Sequence, residues 1–123
     1  MFRPSQFIRS FKYALRGLYI VWREEQSFRI QSLAAIIVLI LAFLLKIPSW
    51  QVIVLILISI FILVLEILNS ILERLVDAMR PRISIFVEVI KDMMAAAVLL
   101  SSLAAVIIGI IIFVPYIKNI FSY

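Results

Sequence analysis

The sequence contains no cysteine and no histidine. The first absence excludes a disulfide framework and a thiolate metal site. The second removes the commonest general base near neutral pH and the commonest transition-metal ligand. Any acid–base work therefore falls to Asp, Glu, Lys or Tyr. Only two glycines are present, so a phosphate-cradling glycine-rich loop is excluded as well. Charge is scarce too, at 15% of the 123 residues. What the chain has in excess is apolar surface: 66% of it is hydrophobic, with a mean hydropathy of +1.22. A soluble domain of this size has no interior large enough to hide that surface. The chain therefore reads as an all-α membrane protein, one domain over residues 1–123. The net charge of +5 is distributed as for a membrane surface, and no nucleic-acid partner is expected.

Phe7, Ile8, Phe11, Leu15, Leu18 and Trp22 recur at helical spacing, with Arg9, Lys12, Arg16 and Arg23 mostly between them. This predicts an amphipathic surface helix over about residues 4–27, its basic face toward anionic headgroups. Three apolar runs follow, over residues 30–45, 47–65 and 93–117. The first is short, but Arg29 and Lys46 at its ends can snorkel. Pro48 stops it, Trp50 marks an interface, and Met79-Arg-Pro-Arg82 breaks the second. Transmembrane helices are expected over about residues 29–47, 50–78 and 88–117.

Six of the twelve Lys and Arg residues precede the first span. Lys46 is alone in the first loop, Arg74, Arg80, Arg82 and Lys91 surround the second, and Lys118 is alone at the far end. The positive-inside rule then predicts a cytoplasmic N-terminus, a cytoplasmic second loop and a C-terminus outside.

The informative stretch is residues 64–77. On a helix, Glu66, Asn69, Glu73 and Asp77 fall at i, i+3, i+7 and i+11, which is one face, while the other faces are mostly Leu, Ile and Val. Glu66 follows an uncharged run, and a carboxylate there is costly in a bilayer unless it faces protein or a polar cavity. It lies about 24 Å along the helix from Trp50, near the inner edge of the hydrocarbon core. Glu24, Glu25, Lys91 and Asp92 are expected at the same depth. Carboxylates from several helices with a Lys nearby suit a divalent cation held with polyphosphate, and phosphoryl transfer needs mainly positioning and charge neutralisation. A lipid hydroxyl also sits at this interface, so a lipid kinase is one reading. Two others compete: charges that only hold helix ends and bond neighbouring helices, and a small transporter or channel subunit using Glu66. A transporter site belongs nearer the bilayer middle.

At Glu66-Ile-Leu-Asn-Ser70, followed by Glu73, Asp77 and then Lys91-Asp92-Met93, the sequence resembles the small prokaryotic diacylglycerol kinase family, which includes the undecaprenol kinases. Tyr13-Ala-Leu-Arg-Gly17, Trp22-Arg-Glu-Glu25 and Phe28-Arg29 resemble the family's N-terminal segment. The resemblance implies an ATP- and Mg²⁺-dependent lipid kinase of the bacterial cytoplasmic (inner) membrane, a homotrimer of three-span protomers with its active site on the cytoplasmic side. It implies Glu66 as general base, Asn69 as an orienting group in the site, Glu25 and Glu73 as holders of the metal, Lys91 on phosphate with Asp92 beside it, and Tyr13 near the nucleotide. Glu24 competes with Glu25, but Glu25 has the matching offset from Phe28-Arg29. Two departures stand out. Ile83-Ser84 replaces the Tyr-His pair frequent in the second loop, leaving Arg82 as the substitute phosphate contact. The Gly common after the Lys-Asp pair is also absent, with Met94 and Ala96 in that region. The acceptor expected from the family is diacylglycerol. Undecaprenol is the alternative, toward which residues 93–106 and 107–115 lean.

Overall fold

The computed structural model describes residues 1, 3–79 and 84–122. Among them are four helices: α1 (Pro4–Glu24), α2 (Gln26–Leu44), α3 (Ser49–Ala78) and α4 (Ser84–Phe121). The last three are long and apolar enough to cross a membrane. α3 packs against both α2 and α4 and is the middle of the bundle, with α1 joined to it through an elbow.

Pro4 stands at the first position of α1, where its fixed φ suits a helix and its missing N–H is no loss. α1 ends at Glu24, short of the expected residue 27, because Glu25 is extended (φ −109°, ψ 108°). The turn needs no glycine. The Arg29 guanidinium reaches back from α2 and donates to the carbonyls of Trp22 (2.7 Å) and Arg23 (2.8 Å), satisfying acceptors that the end of α1 leaves open. Trp22 and Phe28 meet edge to face across the elbow, with ring centroids 6.5 Å apart. α2 therefore starts at Gln26, earlier than the expected residue 29.

At its other end α2 closes with a Schellman motif. The Ile47 N–H bonds to the Ala42 carbonyl (3.1 Å) and the Lys46 N–H to the Phe43 carbonyl (3.2 Å). Ile47 and Ala42 are buried in one apolar cluster with Leu55 and Ile112, the hydrophobic contact that accompanies this motif. Lys46 occupies the left-handed position at φ 56°, which costs a side-chain-bearing residue about 1–2 kcal/mol. Lys46→Gly is therefore expected to raise the thermal midpoint of the detergent-solubilised protein, by an amount equivalent to about 1 kcal/mol. A lower midpoint would mean that the snorkelling ammonium contributes more than the backbone strain costs.

Pro48 then caps α3, its carbonyl accepting from Gln51 and Val52. Near the same end Tyr116 of α4 donates its hydroxyl to Gln51 Oε1 (3.2 Å). α4 begins at Ser84 and runs to Phe121, beyond the expected 88–117 on both sides. It passes through Pro115, which leaves the Ile111 carbonyl without its helical donor, a defect that spanning helices tolerate. The expected break at Arg80-Pro-Arg82 lies outside the described residues.

The buried residues of α3 are Leu55, Ile62, Glu66, Ser70 and Val76, so its two buried polar side chains, Glu66 and Ser70, both lie in its second half. Those two polar groups lie toward the elbow end of the bundle, away from the α2–α3 turn.

Candidate active site

Glu66, Asn69 and Glu73 line one cleft of about 420 Å³. α4 contributes Lys91, and α2 contributes Ser27 and Gln31 from its first two turns. The cleft thus lies between the three spans at the elbow end. Glu66 is 6% exposed, while Asn69 and Glu73, further along α3, are half-buried.

Glu25 does not line the cleft; it approaches Glu66 from the elbow. Ser70, one turn beyond Glu66 and 2% exposed, donates its hydroxyl to Glu25 Oε1 at 3.0 Å. Glu25 and Glu73 are both close enough to Glu66 to act on it electrostatically. Two carboxylates within electrostatic reach of Glu66 favour a cation nearby. Lys91 supplies one: its ammonium donates to Asp77 Oδ1 at 3.2 Å, which ties α4 to α3 beside the cleft. Glu24 is engaged differently. Arg74 donates to it in an ion pair whose members are both about half exposed.

The remaining expected site residues stand apart. Tyr13 is 64% exposed on α1 and does not line the cleft. Asp92 is exposed on α4 and is not among the lining residues either. Arg82 lies outside the described residues. Ser27, Gln31 and Ser102 line the cleft without having been expected there, while Ser70, part of the motif, and Arg74, named only for its charge, contact Glu25 and Glu24. Gln31 and Ser102 carried a signal, since each is a polar side chain inside an apolar run.

Among the described residues no three carboxylates converge as a metal-binding group. A Mg²⁺ ion does not need three. It is commonly held by one or two carboxylates with the rest of its shell from phosphate and water. Glu25 and Glu73 fit that donor set, and the like charges around Glu66 make a cation welcome there.

The sequence profile of the prokaryotic diacylglycerol kinase family matches residues 12–113. The chain belongs to that family. The match takes in α2, α3, the elbow and every lining residue of the cleft. The undecaprenol kinase of Bacillus subtilis is 35% identical over 113 residues, covering 90% of each chain. The diacylglycerol kinase of Synechocystis sp. is 36% identical over 107 residues, 86% of this chain and 61% of that one. The diacylglycerol kinase of Escherichia coli is 30% identical over 103 residues, 84% of each. As a member of the prokaryotic diacylglycerol kinase family the chain is a lipid kinase. ATP as phosphate donor goes with that family, and the three apolar helices make it an integral membrane protein.

Proposed function

We propose that this kinase transfers the γ-phosphoryl group of ATP to the hydroxyl of a membrane lipid alcohol, with diacylglycerol as acceptor and phosphatidic acid as product. The observation that carries the reading is the single cleft that unites Glu66, Asn69, Glu73 and Lys91 in a chain of this family. Glu66 takes the proton of the lipid hydroxyl as its oxygen bonds to the γ-phosphorus and the bond to ADP breaks. Lys91 neutralises phosphate charge, and Asn69 orients the reacting groups by hydrogen bonding. Glu25 and Glu73 would hold Mg²⁺, which supplies charge neutralisation on the transferring phosphate. Tyr13, Asp92 and Arg82 are assigned to the nucleotide, the first two from exposed positions on α1 and α4.

Undecaprenol is the second reading. Its support is the 35% identity to an undecaprenol kinase across 90% of both chains. Purified protein in mixed micelles with ATP and Mg²⁺ is expected to place phosphate on one of the two lipids in a side-by-side assay. No lipid-dependent turnover with either would overturn the function.

The site is proposed to face the cytoplasm, with the C-terminus outside. The support is the concentration of Lys and Arg before α2 and around the second loop. α1 is proposed to lie in the interface, since it exposes both Phe11, Leu15, Leu18 and Trp22 and its basic side chains. The chain has no cysteine of its own. A cysteine introduced as Ser84→Cys is therefore expected to escape an impermeant thiol reagent added outside intact cells. Labelling from outside would invert the orientation. A homotrimer is proposed on the strength of the family resemblance. A monomeric mass for active protein in detergent would refute it.

A further inference from the structure

Two adjacent carboxylates stand at the α1–α2 junction, and α3 takes hold of each with a different residue. Ser70 and Arg74 are one helical turn apart. The Ser70 hydroxyl donates to Glu25, and the Arg74 guanidinium donates to Glu24. The two contacts differ in kind. Ser70 is 2% exposed and Glu25 is half-buried, so their hydrogen bond is better shielded from water, and a bond to a charged acceptor is of the stronger class. The Arg74–Glu24 pair is half exposed, where solvent and salt screen it.

Glu25 also needs a support more than most residues do. It is the single extended residue between two helices, so neither helix fixes its side chain by packing it against a preceding turn. The Arg29 cap and the Trp22–Phe28 contact hold the backbone of the elbow, but Ser70 holds the carboxylate itself. One hydroxyl donates one hydrogen, and a carboxylate offers about four acceptor sites, so the bond orients Glu25 without exhausting it.

We propose that Ser70 is the positioning residue for Glu25: its buried hydroxyl holds the carboxylate at the elbow where the metal of the phosphoryl-transfer site is bound, while Arg74 draws Glu24 into a surface ion pair. This rests on Glu25 being a metal ligand. The same stripe of α3 thus carries the proposed base, Glu66, and one turn on, the support of the proposed ligand. A displacement of α3 moves both together.

The test uses Mn²⁺ as probe, with a non-hydrolysable ATP analogue, on the full chain in detergent micelles. Bound Mn²⁺ is read by electron paramagnetic resonance, without turnover. Ser70→Ala is expected to weaken Mn²⁺ binding about tenfold, the lower end of what losing an outer-shell partner costs. Ser70→Cys, similar in size and a weak donor, should fall between Ser70→Ala and the unaltered protein. In a Glu25→Gln background Ser70→Ala should add no further loss, because the anionic ligand it positions is gone, even though the amide oxygen can still accept the bond. A general packing defect would add its loss in both backgrounds. Unaltered Mn²⁺ affinity in a normally assembled Ser70→Ala protein overturns the proposal, as does an equal added loss beside Glu25→Gln. If Glu25→Gln alone binds Mn²⁺ normally, the ligand assignment falls and takes the proposal with it. That pattern is distinct from one in which Glu25→Gln weakens binding and Ser70→Ala does not.

Discussion

Glu66→Gln is expected to fold, assemble and bind nucleotide with metal, yet to lose turnover by at least about two orders of magnitude, the usual contribution of base catalysis. The argument turns on what Gln keeps and what it lacks. Glu66 is 6% exposed on the middle helix, where a side chain needs a hydrogen-bond partner to be tolerated. Gln has the same size and still bonds, so a purely structural Glu66 would be replaced at little cost. Gln cannot take a proton from a lipid hydroxyl. The two roles therefore give opposite results from one substitution, provided that kcat and oligomer size are measured on the same preparation. A well-assembled Glu66→Gln protein with most of its activity would leave Glu66 as a packing group between helices.

The second large effect concerns the metal. Glu73→Gln and Glu25→Gln should each raise the Mg²⁺ concentration needed for half-maximal activity by at least about tenfold, since removing a ligand costs no less than removing its outer-shell partner. Glu24→Gln should shift it far less, because Glu24 is paired with Arg74 at a half-exposed position. Mg²⁺ titrations at saturating ATP and lipid would compare the three. Equal effects of Glu24→Gln and Glu25→Gln would show that the elbow does not separate the two carboxylates.

The sequence was most legible where the physics is local and periodic. The spacing of Glu66, Asn69 and Glu73 needs only 3.6 residues per turn to become one face, and those three residues do line one cleft. The spans were legible because apolar runs of that length have no other home. The elbow was hidden. No Gly or Pro marks Glu25, and what turns the chain is Arg29 capping carbonyls six and seven residues back. The partners of the two elbow carboxylates were beyond reach for another reason. Ser70 and Arg74 lie 45 and 50 residues away, and only the packing of α3 brings them there. Asp77 was visible as part of the acidic face, but not as the anchor of Lys91, which depends on how α4 lies against α3.

The shortest span has a consequence for where this enzyme can work. α2 has 19 residues, about 28 Å of helix at 1.5 Å per residue, close to the roughly 30 Å of a typical hydrocarbon core. α3 and α4, with 30 and 38 residues, can tilt or protrude to meet a thicker or thinner bilayer. α2 has no such slack: the capped elbow fixes one end, and the Schellman motif followed by Pro48 fixes the other. Hydrophobic mismatch therefore falls first on α2, one end of which is the elbow that carries Glu25. The thickness of the host membrane, set by the acyl chains of lipids that never enter the cleft, is expected to bear on the elbow and its carboxylate.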